Sequence, residues 1–355
     1  MKTFIHSINI DSTKILTGKN DAISKSVFTF FSNHNINPKQ IVKIDLLIDI
    51  QIEEDYTSLE SNLEELIALL IQKKISAYSI IPSTNLLKNE ATLLLTVCTG
   101  NNLKIEHKEF QKLPYTFCSD PQNRILYAGN IRFNENNDLM RSTQLAFDFA
   151  EQLLDHEEMH FGHVNFMHTH LDKSFINHTS SHQSTWDVIN QIKELYFDPS
   201  LFAQSIPPLS LNSMNTGGIQ VSFTAAQKDT FPSHQVLHYQ APNGLDLYAS
   251  LSKELSQIYF FASYNKEAQL SANQNIIVQT NELTEIISEF VQKMEDETKS
   301  KLMLNLVTIH LKNGSELSDA ELIIKQQLKT DQFLFIQSEM QHNEALISIE
   351  GALYF

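Results

Sequence analysis

The residues best suited to chemistry lie at 155–170, DHEEMHFGHVNFMHTH, where five histidines fall within sixteen positions. His156 to His160 fit the pattern H-E-x-x-H, which in zinc peptidases places two histidines on one face of a helix as metal ligands. The glutamate between them then acts as the general base. This chemistry requires all five residues to lie in one helix, so the prediction depends on where the surrounding elements begin and end.

Hydrophobic periodicity predicts the same element order three times, at a spacing of roughly 110–120 residues. Each copy has a helix, a strand, a second helix and two closing strands. In the first copy these are residues 22–36, 39–50, 57–74, 77–83 and 90–100. In the second they are 139–154, 163–172, 184–197, 207–213 and 217–227, after a strand at 124–133. In the third they are 278–296, 302–313, 318–328, 332–340 and 344–355, after a strand at 257–265.

The opening strands of the first copy are the weakest, at 4–10 and 13–18. The motifs Thr57-x-x-Glu60 and Ser318-x-x-Glu321 fit capping boxes and predict the starts of two helices. Chance similarity of α/β patterning is the alternative to a repeat. The agreement in order, lengths and closing strand pairs favours the repeat, because accident rarely produces consistency at several levels.

The repeat predicts an α/β (α+β) fold of three tandem units, at residues 1–112, 113–228 and 229–355, with the first unit the most degenerate. A mixed sheet with two helices on one face must bury its other face. Three units can cover those faces against each other around a shared axis. We therefore expect a monomeric, intramolecular pseudo-trimer with clefts between the units.

Composition narrows the classes of partner. The chain has 355 residues, is 42% hydrophobic and 19% charged, and carries a formal net charge of −16, so nucleic acid and anionic membrane surfaces are unsuitable partners. Its only arginines are Arg124, Arg132 and Arg141. Cys98 and Cys118 form no disulfide framework. The start, MKTFIHSINIDS, lacks an apolar signal segment, and a cytoplasmic location is expected.

Several stretches resemble the RidA/YjgF superfamily and, within it, the chorismatases. NPKQIVKIDLLIDI, with its following helix and strand pair, is similar to the middle of a RidA/YjgF chain. From about residue 120 the chain is closer to the chorismatases, which carry RidA-like units in one chain. The stretches that resemble that family are VNFMHTHLD, WDVINQIKELYF, HQVLHYQAPNGLDLYASLSKE, YFFASYNKEAQLSANQNIIVQTNELTEIISEFV and FLFIQSEMQHNEALISIEG.

The resemblance implies a ligand site and names its residues. Glu350, in the closing strand, matches the second glutamate of a Glu-x-Glu pair and is the candidate general acid. The candidate ligand-binding residues are Lys193, Tyr239, Ser263, His310, Gln337, Gln341 and His342. The alternative for Glu350 is a solvent-facing carboxylate without a catalytic role.

The departures from the family pattern concern its charged residues. Gln341 and His342 stand where the chorismatases have arginines, His310 and Gln240 replace other basic positions, and Ser348 replaces the first glutamate. The places that correspond to the carboxylate-binding arginine of RidA look like Tyr78, Leu209 and a position near Phe335, and none is basic. Lys193 and Lys266 could substitute only as point charges.

These departures favour a diverged, non-catalytic member. It would be either a binder of a small molecule, such as an aromatic or enol-pyruvyl carboxylate, or a partner of a biosynthetic enzyme. The alternative is an active chorismatase-type enzyme that converts chorismate to a hydroxybenzoate or dihydroxy acid and pyruvate. Chorismate is a dicarboxylate and would need fixed cationic partners and a positioned acid. Whether the chain is an enzyme stays open at this point.

The repeat also changes the interpretation of residues 155–170, which contain the five histidines. If the helix that begins near Leu139 ends near Leu154, then DHEEMHFG is a helix end and the connection to the next strand. His156 and His160 would then lie off a shared helical face. We expect no metal and no other cofactor. The alternatives are a catalytic zinc site and an adventitious surface metal site at His156, His160 or His163.

Overall fold

The structure is a computed structural model of residues 1–355, described here except for residues 73, 84–85, 87–89, 136–137, 178–184, 198–208, 229–234, 242, 253–255, 266–267, 269, 271–274, 331 and 341–343. Its helices are α1 (Ser12–Leu16), α2 (Asn20–His34), α3 (Glu53–Leu70), α4 (Leu139–His156), α5 (Lys173–Asn177), α6 (Thr185–Tyr196), α7 (Ile276–Thr298) and α8 (Leu317–Gln327).

The strands fall into three groups along the chain. The first group is β1 (Lys2–Ile10), β2 (Ile41–Ile48), β3 (Ala77–Pro82) and β4 (Ala91–Thr99). The second is β5 (Lys104–Phe110), β6 (Leu113–Ser119), β7 (Asn123–Phe133), β8 (Val164–Asp172), β9 (Leu209–Met214) and β10 (Ile219–Lys228). The third is β11 (Gln235–Gln240), β12 (Leu245–Ser252), β13 (Gln257–Tyr264), β14 (Met303–Leu311), β15 (Phe333–Gln337) and β16 (Ile347–Tyr354).

Each group forms one mixed sheet, and the three sheets share one strand order. The orders are β1-β4-β2-β3, β5-β6-β7-β10-β8-β9 and β11-β12-β13-β16-β14-β15. In each sheet one pair is parallel: β2 with β3, β8 with β9, and β14 with β15. A parallel pair needs a crossover, and α3, α6 and α8 lie in those three connections. The predicted threefold repeat is therefore present, and the second and third sheets add a hairpin in front of it.

Core residues at every second position along the strands explain why each sheet carries helices on one face. In β16, Ile347, Ile349 and Leu353 belong to the apolar core that also contains residues of α7 and α8. The first sheet packs in the same way against α2 and α3, and the second against α4 and α6. Successive side chains of a strand point to opposite faces, so the residues between these core positions face away from the helices.

Four local predictions differ from the structure. Helix α3 begins at Glu53, a turn before Thr57, because three acidic residues in its first turn suit the helix dipole, and no side chain caps it. Ser318 likewise lies inside α8, which follows a turn of 3₁₀-helix. Residues 13–18, expected as a strand, form most of α1. The second sheet begins with β5 at Lys104, within the range assigned to unit 1, because β5 pairs with β6.

The helix-free faces of the three sheets pack against each other around a common axis. One apolar cluster lies at each boundary, with Val42 and Tyr127 between units 1 and 2, Leu47 and Leu306 between units 1 and 3, and Phe166 stacked on Tyr259 between units 2 and 3. The thiols Cys98 and Cys118 are buried and free in the first of these. Sheets packed in this way leave space only where side chains fail to fill the axis.

Units 1 and 2 approach most closely where β7 meets β3. A Cβ atom placed on Gly129 of β7 would lie 2.3 Å from the carbonyl oxygen of Tyr78 in β3. No side chain fits at that separation, so glycine permits this backbone contact.

Hydrogen bonds between units close one end of the axis, where the carboxyl ends of β3, β9 and β15 meet. The Asn215 amide donates to Pro82 O at 2.7 Å, and the Ser213 amide donates to Ser338 Oγ at 3.0 Å. The Ser83 hydroxyl donates to Gln337 O at 3.3 Å. Among the described helices, none is both long and apolar enough to span a bilayer.

Candidate functional site

A cavity lies on the axis between the three sheets, and we call it the axial cavity. About 90 Å³ of it is open to the centres of water-sized groups, which is well above the minimum for holding one such group. Its polar lining is Lys43, Asp45, Thr96, His168, His170, Ser222, Tyr259, Thr308, His310 and Glu350. Its aliphatic lining is Ile5, Leu47, Ile81, Leu94, Leu306, Leu334 and Ile336. All three units therefore contribute chemistry to one chamber.

Glu350 projects into this cavity from the third unit. Its strand, β16, pairs with β13 and β14 on its two sides, which places Glu350 opposite Phe261 and Thr308. Since Ile349 faces the helices, Glu350 faces the axis. Its Oε1 lies 3.3 Å from His310 Nε2, and its Oε2 lies 3.8 Å from His168 Nδ1. The closing strand thus brings a buried carboxylate against imidazoles of two units.

The second unit contributes His168 and His170 from one face of β8. Their rings are nearly parallel, with centroids 6.1 Å apart and an interplanar angle of 15°. Burial lowers the pKa of His168, against the opposing effect of Glu350. Burial, and then the neighbouring His168, lowers the pKa of His170 to about 3. His170 is therefore neutral at pH 7, and each neutral ring has one nitrogen that donates and one that accepts.

The first unit contributes an ion pair from β2. Lys43 and Asp45 lie two residues apart and share one face of the strand, with Lys43 Nζ 2.9 Å from Asp45 Oδ1. Their side chains are only 10% and 14% exposed. A buried charge is stable only when paired, so this contact accounts for both groups at once.

Two of the buried imidazoles have unmatched nitrogens. Within the described part of the chain, Nδ1 of His170 and Nδ1 of His310 have no hydrogen-bond partner. His170 is 6% exposed and His310 is 2% exposed, and both line the cavity. A buried polar atom without a partner costs free energy, so each native case requires an explanation. Both nitrogen atoms are themselves buried, so the protein packs over them.

The structure brings two of the eight predicted site residues together in the axial cavity: Glu350 and His310. Ser263 lies on the same face of β13 as Tyr259 but does not line the cavity. Gln337, at the end of β15, donates from Nε2 to Lys312 O at 3.5 Å. Gln341, His342 and Lys266 lie outside the described residues.

The remaining two predicted residues lie outside the cavity lining. Tyr239 packs edge-on against Phe290 of α7, with Lys293 Nζ 4.3 Å above its ring, so it belongs to the helix side of the third sheet. Lys193 lies in α6, where burial lowers its pKa to about 8. A shared cavity with Glu350 was expected from the family resemblance, and the structure does not place either residue there.

Four ionic or imidazole side chains among the described lining residues of the cavity were not selected as site residues: Lys43, Asp45, His168 and His170. For each of these residues, a pattern in the sequence could have indicated its place in the cavity. Lys43 and Asp45 are the charged residues of the otherwise apolar strand IVKIDLLI. His168 and His170 alternate with apolar residues in VNFMHTHLD, which places them on one face of the strand.

A second polar cluster lies between units 1 and 2, and we call it the first cleft: Glu53, Tyr56 and Glu60 of α3 with Asn130 and Arg132 of β7. The Tyr56 hydroxyl donates to Asn130 Oδ1 at 2.5 Å, and Asn130 Nδ2 donates to Glu60 Oε1 at 2.6 Å. Arg132 forms an ion pair with Glu53 and lies 4.0 Å above the Tyr56 ring. This cleft is filled by the protein's own side chains, and none of the three arginines lines the axial cavity.

The H-E-x-x-H residues span a helix end and a loop. Helix α4 ends at His156, and Glu157 caps it. The Glu157 carboxylate accepts from Lys108 Nζ at 2.8 Å and from the Tyr115 hydroxyl at 2.5 Å, which anchors the β5–β6 hairpin. Over the described residues, no group of three or more His, Cys, Asp or Glu could hold a metal ion. The peptidase geometry is therefore not formed here.

Comparison with known proteins identifies the fold. No protein-family model and no curated protein matches the sequence. A solved chorismatase matches 89% of this chain and 93% of its own, with a TM-score of 0.61 and 10% identity. A cyanuric acid hydrolase aligns over 100% of both chains with 9% identity and a TM-score of 0.44. A YjgF family member from Neisseria meningitidis aligns over 37% of this chain and 100% of its own, with 10% identity and a TM-score of 0.28.

The chain thus has a RidA/YjgF-like fold related to that of chorismatase. The prediction of three such units, each a mixed sheet with helices on one face, is confirmed. At 10% identity the match concerns the fold alone.

Proposed function

We propose that the chain binds a small organic molecule in the axial cavity and does not hydrolyse a dicarboxylate such as chorismate. The observation that carries this proposal is the axial cavity itself, where imidazole, carboxylate and hydroxyl groups from three units meet in a chamber with aliphatic walls. Small-molecule sites are typically concave and mostly apolar, with a few convergent polar groups. The axial cavity fits that description, and the first cleft does not.

Charge argues against a dicarboxylate ligand. Among the residues that the structure describes, the cavity lining has two carboxylates, Asp45 and Glu350, and one ammonium, Lys43, which already pairs with Asp45. A dianion would need cations that are not engaged elsewhere, and burial lowers the pKa of both His168 and His170, which keeps them neutral. Moving a dianion into this lining would add repulsion from Glu350.

A second candidate function is a chorismatase-type enzyme, and one observation favours it. Glu350 lies 3.3 Å from His310 and 3.8 Å from His168, an arrangement of carboxyl and imidazole groups that suits general acid–base catalysis. In that case Glu350 would protonate the methylene carbon of the substrate's enol ether, and water would add to the resulting oxocarbenium carbon. Cleavage of the hemiketal would then release pyruvate and leave a hydroxyl group on the ring.

A fragment-binding experiment tests the proposed function. Ligand-observed NMR would be recorded with small neutral, cationic and anionic organic fragments. The Ser222→Leu variant provides the matched control, because the larger side chain enters the cavity from β10. We expect at least one class to bind the wild-type protein and to lose binding in Ser222→Leu. Binding of no class, or equal binding to both proteins, would contradict the proposal.

A turnover experiment separates binding from catalysis. Purified protein would be incubated with chorismate, and pyruvate would be detected through lactate dehydrogenase. We expect no pyruvate above the buffer control. Pyruvate formation that drops at least about a hundredfold in Glu350→Gln, but not in the exposed control Glu289→Gln, would establish the enzyme instead.

A further inference from the structure

His168 is the most accessible of the ionic and imidazole side chains that the structure describes in the axial cavity. Its side chain is 29% exposed, against 10% for Glu350 and 2% for His310. Neither of its ring nitrogens is buried without a partner, as Nδ1 of His310 is. In the described part of the chain its polar neighbour is Glu350, at ion-pair distance and without a hydrogen bond. A molecule in the cavity can therefore contact this imidazole directly.

The carboxylate beside His168 decides which ring nitrogen carries the proton. The ring lies deep between the sheets, and its removal from bulk water lowers the pKa of His168, so the ring is neutral at pH 7.5. A neutral imidazole has one nitrogen that donates and one that accepts. Nδ1 lies 3.8 Å from Oε2 of Glu350, and a proton there is attracted to the carboxylate, whereas a lone pair would be repelled. Nε2 is therefore the acceptor, and it suits a ligand that donates a hydrogen bond.

The charged side chains of the described lining already have ionic or polar neighbours. Lys43 Nζ lies 2.9 Å from Asp45 Oδ1. Glu350 lies 3.3 Å from His310 and 3.8 Å from His168, and it takes part in further interactions. A charged ligand would lose its hydration here and would have to compete for a counter-ion that is already engaged, which costs free energy. The lining therefore favours a neutral ligand.

The accessible apolar surface of the cavity is aliphatic and comes from unit 1. Ile5, Ile81 and Leu94 are half-buried and line the same cavity as His168. They pack against the buried cluster at the boundary of units 1 and 3, which consists of Leu47, Leu306, Leu334 and Ile336. A hydrocarbon group placed against these side chains gains free energy in proportion to the apolar area that it buries. A ligand with a compact aliphatic body and one donor group can use both walls.

We infer that the axial cavity takes a small neutral alcohol with a compact aliphatic or alicyclic body, whose hydroxyl group donates a hydrogen bond to Nε2 of His168. This inference rests on the proposed binding function. It makes His168 the residue that selects the ligand, and it replaces the carboxylate that the family resemblance implied with an uncharged donor.

Three ligands of nearly equal shape test the inference: cyclopentanol, cyclopentanone and cyclopentylamine. The alcohol donates a hydrogen bond, the ketone only accepts, and the amine is protonated. Ligand-observed NMR titrations at pH 7.5 would give the three dissociation constants on the wild-type protein. We expect the alcohol to bind at least about fivefold more tightly than the ketone and at least about tenfold more tightly than the amine.

Two histidine variants show whether His168 causes this preference. In His168→Leu, which removes the acceptor and adds an aliphatic side chain, the alcohol and the ketone should bind within about twofold of each other. His156→Leu removes an exposed histidine at the end of α4 and should keep the wild-type preference. Because the ratio of two affinities is measured on each protein, a general loss of affinity cannot imitate the expected result.

The outcomes separate this inference from the function on which it rests. If the ketone or the amine binds as tightly as the alcohol and Ser222→Leu abolishes that binding, the cavity binds small molecules but the alcohol inference is wrong. A preference for the alcohol that persists in His168→Leu also overturns it. If none of the three ligands binds, the alcohol inference fails, and the broader fragment experiment decides the proposed function. Should His168→Leu fail to fold, the ligand series on the wild-type protein still decides the ligand class.

Discussion

The axial cavity and the first cleft are both polar clusters between units, and they differ in what satisfies their polar atoms. In the first cleft, Tyr56, Asn130 and Glu60 form a continuous chain of hydrogen bonds, and Arg132 pairs with Glu53. In the axial cavity, polar side chains of three units line an open space instead. Polar groups that satisfy each other hold two units together, whereas polar groups that line a cavity are available to a ligand.

The difference has a physical origin in the elements around each cluster. Helix α3 places long side chains directly over the boundary of units 1 and 2, and they fill it. The described residues that line the axial cavity all lie in strands, and side chains from three separate sheets meet there. Strand side chains stand perpendicular to their sheet, so three sheets around an axis leave a gap wherever their side chains are short.

The largest expected effect concerns the ion pair of Lys43 with Asp45 in the cavity wall. In Asp45→Asn, Lys43 keeps its buried charge without a partner, and we expect a loss of about 3–5 kcal/mol in the free energy of unfolding. Urea denaturation measures the loss. Asp296→Asn, on the exposed end of α7, is the control and should stay within about 0.5 kcal/mol of wild type. A loss below about 1 kcal/mol for Asp45→Asn would mean that solvent screens the pair, and the contrast between a dry cavity wall and a surface would be lost.

The next effect is a pH dependence of the free energy of unfolding. It is caused by His170, whose folded-state pKa is lowered from 6.5 to about 3. Between these two pH values the unfolded chain binds a proton that the folded chain does not, so stability falls as the pH is lowered through this window. His168, His310, Glu350 and Lys43 also act on this ring. We expect wild type to lose about 1.4 kcal/mol per pH unit more than His170→Leu between about pH 6 and pH 4.

Urea denaturation at a series of pH values measures the two slopes of that comparison. His156→Leu, at the exposed end of α4, is the control for loss of a histidine outside the cavity. Equal slopes for wild type and His170→Leu would show that the His170 ring is hydrated, and the axial cavity would then resemble the protein surface.

The smallest expected effect is a difference in stability at pH 8 between a variant of the first cleft and a variant of the axial cavity. Tyr56→Phe removes the donor to Asn130 in the first cleft, and we expect a loss of about 1–2 kcal/mol. His170→Leu removes a ring whose Nδ1 has no partner, so the variant without ligand should be unchanged or up to about 1 kcal/mol more stable. Thermal unfolding of both variants provides the comparison. The opposite order of stabilities would remove the distinction between a packed cleft and a ligand site.

Much of the fold was predictable because the repeat appears in the order of its elements. The three crossover helices and their parallel strands were predicted near their observed positions. The hairpin β11–β12 was read only as a linking stretch, and the start of α3 was placed a turn late. Both errors concern local signals that tertiary packing overrides: β12 gains a partner in β13, and the acidic first turn of α3 needs no capping side chain.

The candidate site was predictable only in part. Glu350 and His310 were selected from their places in the closing strand and the strand before it, and both line the cavity. Tyr239 and Lys193 were selected by resemblance alone, and they lie elsewhere. The histidines of β8 were noticed, but the H-E-x-x-H spacing drew attention to His156 and His160, which lie outside the strand.

The sequence by itself determined the threefold repeat, the mixed sheets with helices on one face, and the face of β16 on which Glu350 lies. Periodicity carries that information, because it reports which side of a strand is polar. Only the tertiary structure decided that Lys43, His168 and His310 meet around one axis, and that α3 fills the first cleft while the axis stays hollow. The sequence pattern of a strand shows which of its faces is polar. It does not show which other sheet will pack against the helix-free face, and the cavity forms only through that packing.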